Sequence, residues 1–223
     1  MRPVGILGGM GPEATILLMQ KVLAAVPAQD DADHIPLIVH QNPGVPSRIR
    51  RLIDGVGDDP GPVLAGMARD LTRAGAQALA MPCNTAHAYA PQILAASDLP
   101  FLDMRAATVR ALPKGRIGLL ASPAVRLTGA FQAQFDAAGL VPVWPKDDAP
   151  VLALIRQVKA GQVTAGPAGG AALRRLAEDL APECDHLLVA CTELSLLTDG
   201  LMPRTWTDSM DCLVADIVAF ARA

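Results

Sequence analysis

Short apolar runs rich in β-branched residues recur along this chain, each bounded by Gly or Pro, and segments with helical periodicity separate them. Such runs predict strands. They lie at 4–7, 36–39, 77–81 and 100–102 in the first half and at 116–120, 141–144, 186–190 and 204–206 in the second. Strands that alternate with helices are typical of parallel sheets. The sequence therefore predicts an α/β fold with two four-stranded parallel sheets flanked by helices.

A glycine and a cysteine recur at similar places in the two halves of the sequence. Gly5 and Gly118 each lie in the first predicted strand of their half. Cys83 and Cys191 each follow the third predicted strand, so the separation from glycine to cysteine is similar in both halves. The two cysteines are therefore expected to occupy equivalent positions, although chance similarity between two α/β halves is an alternative.

An aspartate at the end of the last strand extends this repeat. Asp103 follows Cys83, and Asp208 follows Cys191, at a similar short distance along the chain. We expect two similar domains related by pseudo-twofold symmetry. Residues 1–104 with 208–223 would form the first domain, and residues 105–207 the second. Because small domains have limited cores, we also expect association into a homodimer.

Composition and charge argue against several classes of partner. The 223 residues include 19 Lys and Arg against 22 Asp and Glu, which gives a net charge of −3 without a basic cluster. Two Trp, one Tyr and four Phe leave little material for stacking on bases. We therefore expect no nucleic-acid partner and no anionic membrane partner.

No segment has the pattern of a membrane span or an export signal. The longest uncharged stretch, 74–97, contains Pro82, Asn84, Pro91 and Gln92, which do not suit a lipid-spanning helix. The apolar start runs into Pro12 and Glu13, where a signal peptide needs small residues for cleavage. We expect a cytoplasmic protein whose cysteines stay reduced.

The four cysteines fall into two pairs. Cys184 and Cys212 are not flanked by Asn or Thr, and we expect them to be structural. Cys83 and Cys191 each follow a predicted strand and precede a helical segment, within PCNT and ACTE. Ligands bind at the carboxyl ends of parallel strands, and a helix N-terminus favours a thiolate. We therefore expect Cys83 and Cys191 to be reactive, with a lowered thiol pKa.

Four motifs lie in order along the whole chain, at 8–15 (GGMGPEAT), 41–48 (QNPGVPSR), 81–87 (MPCNTAH) and 190–194 (ACTEL). With these motifs the chain resembles the aspartate/glutamate racemase superfamily, and most of all its aspartate racemase branch. The resemblance implies an amino-acid racemase without cofactor or metal, whose active site lies in a cleft between two α/β domains. It also implies a catalytic cysteine on either side of the substrate, here Cys83 and Cys191.

Two opposed cysteines suit the inversion of an α-carbon. One face of the carbon loses its proton and the other face receives a different one, so two fixed groups remove any need for the substrate to turn over. One cysteine must be a thiolate while the other is a thiol, and their titrations are coupled.

The resemblance also implies a set of substrate-binding residues, which are Met10, Arg48, Asn84, Thr85, Lys159 and Thr192. Arg48 and Lys159 would bind the side-chain carboxylate of an acidic amino acid, since a guanidinium can hold a carboxylate through two hydrogen bonds. Asn84, Thr85 and Thr192 would donate to the α-carboxylate. The alternatives are helix capping for these three residues and a solvated surface position for the two cations.

The turn after the fifth predicted strand departs from the family's pattern. Where the family often has a Thr-rich turn, this chain has ASPAVRLTG, with Ser122 followed by Ala124 and Val125. Val125 cannot donate a hydrogen bond. If this turn faces the substrate, strict specificity for aspartate is not expected.

Other functions stay open from the sequence alone. A GxGxxA pattern after the first strand is typical of dinucleotide binding, but no acidic residue ends the second strand to hold a ribose. Cys83 and His87 are candidates for a cysteine hydrolase, and together with Cys191 for a zinc site, although the usual zinc spacing is lacking. His87 would otherwise adjust Cys83. A dicarboxylate lyase or cis–trans isomerase of the same superfamily and a non-catalytic protein that binds acidic amino acids are further alternatives.

Overall fold

The computed structural model describes residues 1–201 and 206–223. It contains two four-stranded sheets in which all neighbouring strands are parallel. The first sheet consists of β1 (Val4–Gly8), β2 (Leu37–Gln41), β3 (Ala78–Ala80) and β4 (Phe101–Leu102). The second consists of β5 (Arg116–Ala121), β6 (Val141–Val143), β7 (His186–Ala190) and β8 (Trp206–Asp208). The α/β fold predicted from the sequence is confirmed.

Both sheets have the same topology. The strand order is β2-β1-β3-β4 in the first sheet and β6-β5-β7-β8 in the second. Strands β3 and β7, which precede the two candidate catalytic cysteines, therefore occupy equivalent places. Residues 204 and 205 of the last predicted strand lie outside the described residues, and β8 begins at Trp206.

Helices connect the strands. They are α1 (Pro12–Ala24), α2 (Arg48–Leu52), α3 (Gly61–Arg73), α4 (Ala90–Leu94), α5 (Met104–Ala111), α6 (Pro123–Leu127), α7 (Gln132–Ala138), α8 (Ala149–Lys159), α9 (Pro167–Leu180), α10 (Thr192–Ser195) and α11 (Ser209–Arg222). Within residues 1–201 and 206–223, no helix combines the length and the apolar character that a membrane crossing requires.

Helices cover both faces of the first sheet, which buries β1 completely. Leu18 of α1 and Ile217 of α11 belong to the core on the same side of β1 as Ile6. Leu71 of α3 and Leu7 belong to the core on the other side. Strands covered on both faces read as continuous apolar runs, and this explains why the sequence shows them so clearly.

Helix α11 joins the two halves of the molecule. It follows β8 of the second sheet, but its residues Met210, Leu213 and Ile217 pack into the core of the first sheet. The N-terminus of α11 therefore lies where the two halves meet. The exact division into domains, at 104/105 and 207/208, stays a prediction.

Equivalent glycines in β1 and β5 allow close packing against each sheet. A Cβ at Gly5 would lie 2.9 Å from Cβ of Ala76, and a Cβ at Gly118 would lie 2.6 Å from Sγ of Cys184. Cys184 thus packs against its own sheet. Burial raises the pKa of the Cys212 thiol in α11 to about 11, which keeps that thiol protonated and unreactive near neutral pH.

Candidate active site

A cavity of about 260 Å³ lies at the carboxyl ends of strands from both sheets. The turns that follow β1, β2 and β3 of the first sheet, the turns that follow β5 and β7 of the second, and one face of α8 line it. Open parallel sheets bind their ligands at these ends. The volume is below the usual range for drug-sized ligands and suits a small metabolite.

Six of the predicted site residues line this cavity, and they are Met10, Arg48, Cys83, Thr85, Lys159 and Cys191. The two cysteines are 6% and 5% exposed, so a ligand can reach their thiols only through the cavity. Asn84 and Thr192 are buried beside it, at 2% and 1% exposure, and do not line it.

Cys83 lies in the turn that follows β3. Its N–H donates to the carbonyl of Met81 at 2.9 Å, and a short 3₁₀ helix begins at Thr85. The first α-helix after this point, α4, begins only at Ala90. The helix expected directly after Cys83 is thus a 3₁₀ helix rather than an α-helix.

His87 supports the backbone of Cys83. Its Nδ1 lies 2.8 Å from the carbonyl oxygen of Cys83, and its Nε2 accepts from the N–H of Met104 at 3.3 Å. These partners fix the tautomer with hydrogen on Nδ1. Burial lowers the pKa of His87 to about 4 although Asp103 lies 3.7 Å away, so the ring is neutral near pH 7.

The carboxylate of Glu193 links Cys191 to Lys159. Cys191 is the N-cap residue of α10, and its thiol donates to Oε2 of Glu193 at 3.2 Å. Oε1 of Glu193 forms an ion pair with Nζ of Lys159, near the end of α8. A thiol, a carboxylate and an ammonium group therefore form one connected row along the cavity wall.

These contacts set the protonation of Cys191. Burial raises the pKa of its thiol well above the usual range and the charge of Glu193 raises it further, while Lys159 opposes them. The lowered pKa predicted from a helix dipole is therefore wrong for Cys191. A dipole effect of about 0.3–1 kcal/mol, here from a helix of four residues, is outweighed by desolvation and an adjacent carboxylate.

Lys159 keeps its charge in this setting. Burial alone would lower its pKa, but the charge and hydrogen bond of Glu193 raise the pKa above the usual value. The ammonium group also interacts electrostatically with both Cys83 and Cys191. The ammonium group of Lys159 can therefore stabilise negative charge on either thiol.

Arg48 begins α2 in the turn after β2. Its Nη1 donates to the carbonyls of Val45 at 3.2 Å and Pro46 at 2.9 Å. Its Nε is buried and has no hydrogen-bond partner among the described residues. An unpaired buried donor on a cation is costly, so this guanidinium is suited to an anionic ligand.

The turn between β1 and α1 needs glycine at its first position. Gly9 has a φ of +92°, and a Cβ there would lie 2.4 Å from the backbone carbonyl carbon of Asn42. The N–H of Gly9 donates to Oγ1 of Thr15 at 2.9 Å. The GGMGPEAT motif thus holds the turn that carries Met10 tightly against the loop after β2.

The unusual turn after β5 reaches the cavity through Ser122. Oγ of Ser122 accepts from the N–H of Ala124 at 3.3 Å and caps α6. Val125 is 1% exposed and packs in the apolar core that includes Phe135. Val125 therefore does not line the cavity, and Ser122 supplies the polar group of this turn.

Glu193 is the site residue that the sequence analysis missed. Its side chain is 7% exposed and contacts both Lys159 and Cys191. The available signal was one carboxylate inside the apolar run LLVACTELSLL. A buried carboxylate needs a partner, and the nearest chemistry-bearing residue in that run is Cys191.

Two alternative functions lack geometric support. The ring nitrogens of His87 are both engaged with backbone groups, so neither is available as a base for Cys83 or as a zinc ligand. In the part of the chain that the structure describes, no three His, Cys, Asp or Glu side chains are grouped so that they could hold a metal ion.

Comparison with known families decides what kind of protein carries this cavity. The model of a family described as Asp/Glu/Hydantoin racemase matches residues 7–217. The chain belongs to this family. The resemblance drawn from the four motifs is confirmed. As a member of a racemase family, this protein is an isomerase.

Similar proteins support this membership over the whole chain. The broad specificity amino-acid racemase RacX of Bacillus subtilis (strain 168) is 27% identical over 97% of this chain and 96% of its own length. The structure of the Picrophilus torridus aspartate racemase is 26% identical, with a TM-score of 0.83 over 100% of this chain and 95% of that one. A glutamate racemase from Francisella tularensis, solved with D-glutamate, shares the fold at 16% identity and a TM-score of 0.68, over 98% and 80%.

Proposed function

We propose that this protein is a cofactor-independent amino-acid racemase of the aspartate/glutamate type, in which Cys83 and Cys191 are the two acid/base groups. The observation that carries the proposal is that both cysteines line one small cavity, each after an equivalent strand of a different sheet. Thiols contributed by opposite halves of the molecule are suited to act on opposite faces of one α-carbon.

Cys191 is the protonated member of the pair before substrate binds. The hydrogen bond from Cys191 to Glu193 requires hydrogen on the sulfur, and burial with the Glu193 charge raises the pKa of that thiol. Cys191 is therefore the proton donor in one direction of the reaction, and Cys83 is the base. In the opposite direction the roles exchange, because the two protonation states interconvert with turnover.

Atoms and charge balance over one turnover. The thiolate of Cys83 removes the α-proton, and the electron pair of the C–H bond spreads into the α-carboxylate. The thiol of Cys191 then gives its proton to the opposite face of the carbon. One turnover leaves Cys83 protonated and Cys191 as the thiolate, and the ammonium group of Lys159, which interacts with both cysteines, favours either arrangement of charge.

Charge that develops on the α-carboxylate needs donors. Thr85 and Ser122 place hydroxyl-bearing residues on the cavity wall from opposite sheets. A preorganised donor aimed at developing charge contributes about 3–4 kcal/mol to catalysis. We propose that these two residues serve the α-carboxylate, while the contacts expected from Asn84 and Thr192 stay predictions.

An acidic amino acid is the proposed substrate class. Arg48 offers a guanidinium with an unpaired buried Nε, whereas Lys159 is already paired with Glu193. Arg48 is therefore the main determinant for the side-chain carboxylate, and Lys159 a secondary one. The relatives are named for aspartate in one case and for broad specificity in the other, so a test has to include neutral amino acids.

A homodimer and a cytoplasmic location complete the proposal. Ile16, Met19 and Leu23 of α1 expose about half of their apolar surface beside a groove that includes Leu37. Such a patch favours self-association. The four cysteines are all free thiols, which suits a reducing compartment. Light scattering should give twice the monomer mass, and Met19→Lys should shift the protein toward the monomer.

Incubation with single enantiomers in deuterated water tests the activity. For aspartate and glutamate we expect loss of the α-proton NMR signal together with optical inversion, with alanine as the neutral comparison. Cys184→Ser, which alters a thiol outside the cavity, should retain the activity of the wild type. Exchange without inversion, a new product as from a lyase, or binding without exchange would each contradict the proposed function.

A further inference from the structure

Two consecutive residues at the N-terminus of α11 contact the loops of both cysteines. Asp208 caps the helix by accepting from the N–H of Met210 at 2.9 Å, and the same Oδ1 accepts from Oγ of Ser195 at 2.7 Å. Ser195 lies four residues after Cys191 and donates its own N–H to the Cys191 carbonyl at 3.1 Å. Asp208 is therefore connected to the Cys191 loop through one side chain.

The next residue makes the corresponding contact with the other half. Oγ of Ser209 accepts from Nδ2 of Asn84 at 2.8 Å. Asn84 directly follows Cys83, and its carbonyl accepts from the N–H of His87 at 3.2 Å. The loops of the two thiols are thus joined through adjacent residues of a single helix, although Asn84 and Ser209 are 125 positions apart in the chain.

The four side chains are almost completely buried. Asn84, Ser195, Asp208 and Ser209 are exposed by 2%, 3%, 2% and 0%, and they do not line the cavity. Buried polar groups are unfavourable unless they are paired, and apolar residues of similar size would fill this space without that cost. Their value therefore lies in the geometry that they impose.

The other end of the Cys83 loop is held in a parallel way. His87, four residues after Cys83, bonds to the Cys83 carbonyl and accepts from the N–H of Met104 at the start of α5. Asp103 caps α5 as Asp208 caps α11. In each half, the residue four positions after the cysteine thus ties the cysteine carbonyl to the helix that follows the last strand.

We propose that Asp208 and Ser209 form an interdomain clamp that sets the position of one thiol relative to the other, with Asn84 and Ser195 as the positioning residues through which it acts. The catalytic consequence rests on the proposed racemase function, because only a two-base reaction needs both thiols at a fixed spacing. The effect of the clamp on the reactivity of each thiol does not depend on that function.

Two single substitutions separate the arms of the clamp. Ser195→Ala removes the hydroxyl that reaches Asp208, and Ser209→Ala removes the acceptor of the Asn84 amide. We expect each variant to lower kcat for aspartate by about tenfold or more, with KM changed less than about twofold, because small displacements of a catalytic group are expensive while substrate contacts are untouched. Thr108→Val is the control, since it removes an equally buried hydroxyl that bonds within α5.

Site-specific alkylation with iodoacetamide, followed by peptide mass spectrometry, gives the second measurement. Ser195→Ala should change the labelling rate of Cys191 by about threefold or more and leave Cys83 unchanged, and Ser209→Ala should do the reverse; the size corresponds to the loss of one ordinary hydrogen bond. Asn84→Ala removes the other partner of the same hydrogen bond, so it should change the labelling rate of Cys83 as much as Ser209→Ala does. The double variant should show the same labelling rate as either single variant.

Selective effects on the two thiols would support the clamp, and equal effects on both thiols or on neither would overturn it. If Ser209→Ala does not fold, Asn84→Ala provides the same comparison. A large rise in KM for Asn84→Ala alone would instead assign Asn84 to the substrate and overturn its role in the clamp. Absence of α-proton exchange in the wild type would refute the racemase proposal, whereas the labelling data would still test the clamp.

Discussion

Glu193 accepts a hydrogen bond from the thiol of Cys191 at 3.2 Å, and both residues lie on the wall of the same cavity. The second oxygen of Glu193 is paired with Lys159. This contact holds the Cys191 side chain and keeps it protonated. It makes the two halves of the site chemically different although their sheets have the same topology.

Glu193→Gln should lower the pKa of Cys191. The carboxylate is one cause of the raised pKa, and its removal also leaves the ammonium of Lys159 free to stabilise a thiolate. The rate of Cys191 alkylation, measured against pH, should therefore rise at a lower pH than in the wild type. Glu13→Gln, which removes an exposed carboxylate from the same cavity, is the control and should leave the profile in place. An unchanged profile in Glu193→Gln would show that Glu193 does not control this thiol.

Arg48→Ala should raise KM for aspartate by about 10- to 100-fold, because a charge-assisted hydrogen bond is worth about 1.5–3 kcal/mol. KM for a neutral amino acid should change much less, since it has no side-chain carboxylate. Arg50→Ala, two residues further along α2 and exposed, is the matched control. Initial rates over a range of substrate concentrations give KM for aspartate and KM for the neutral amino acid. An equal rise in KM for acidic and neutral substrates would assign Arg48 to the α-carboxylate instead.

Asp208→Asn should stabilise the protein at neutral pH. Burial raises the pKa of Asp208 to about 6 and Asp211 adds to this, although hydrogen bonds from Met210 and Ser195 and the charge of Lys21 oppose it. The folded protein therefore binds this proton more tightly than the unfolded chain, so stability is lost as pH rises from about 4 to about 6. The shift corresponds to about 3 kcal/mol.

Urea unfolding from pH 4 to pH 7 measures this effect. Relative to the wild type, Asp208→Asn should be more stable by about 3 kcal/mol at pH 7 and by about zero at pH 4. Asp199→Asn, an exposed position, should show no such trend. A difference in the free energy of unfolding that does not vary with pH would mean that Asp208 has the same pKa in the folded and the unfolded protein, and it would contradict the raised pKa.

Gly118→Ala should destabilise the second half by about 1–3 kcal/mol, since an added methyl overfills a packed core. The new Cβ would lie 2.6 Å from Sγ of Cys184 and about 3 Å from two leucine methyl groups. Cys184→Ala removes the sulfur, so the double variant should recover part of the loss. Urea unfolding of the four proteins in the cycle measures the coupling. If the two substitutions change the free energy of unfolding additively, the strain in Gly118→Ala does not come from contact with the Cys184 sulfur.

The fold was accessible from the sequence because the buried strands are continuous apolar runs between Gly and Pro. The central strands β1 and β7 coincide with these runs almost residue for residue. Short edge strands carry a weaker signal. Residues 204 and 205 of the last predicted run lie outside the described residues, while β8 ends at Asp208, two residues beyond that prediction.

The site was predicted in part. Strand ends identify Cys83 and Cys191 because local sequence determines which residues follow a strand. Sequence distance does not show that Glu193 reaches Lys159, 34 residues away, or that the amide of Asn84 is bonded to Ser209. Such contacts join residues that are far apart in the chain, and they form only when the folded chain brings these residues together. The pKa of Cys191 was mispredicted for the same reason, because desolvation and the charges near the thiol depend on how the folded chain packs around it.

The central claim is that two cysteines exchange the α-proton across one substrate. The test is the exchange of the α-proton of aspartate in deuterated water, measured by NMR together with optical rotation. It compares Cys83→Ser, Cys191→Ser and the Cys184→Ser control. Each of the first two variants should lose racemisation by about 10²- to 10⁴-fold, because a serine hydroxyl is a poor acid and base at neutral pH, while the control stays active. Full racemisation in either Cys83→Ser or Cys191→Ser would contradict the two-cysteine mechanism.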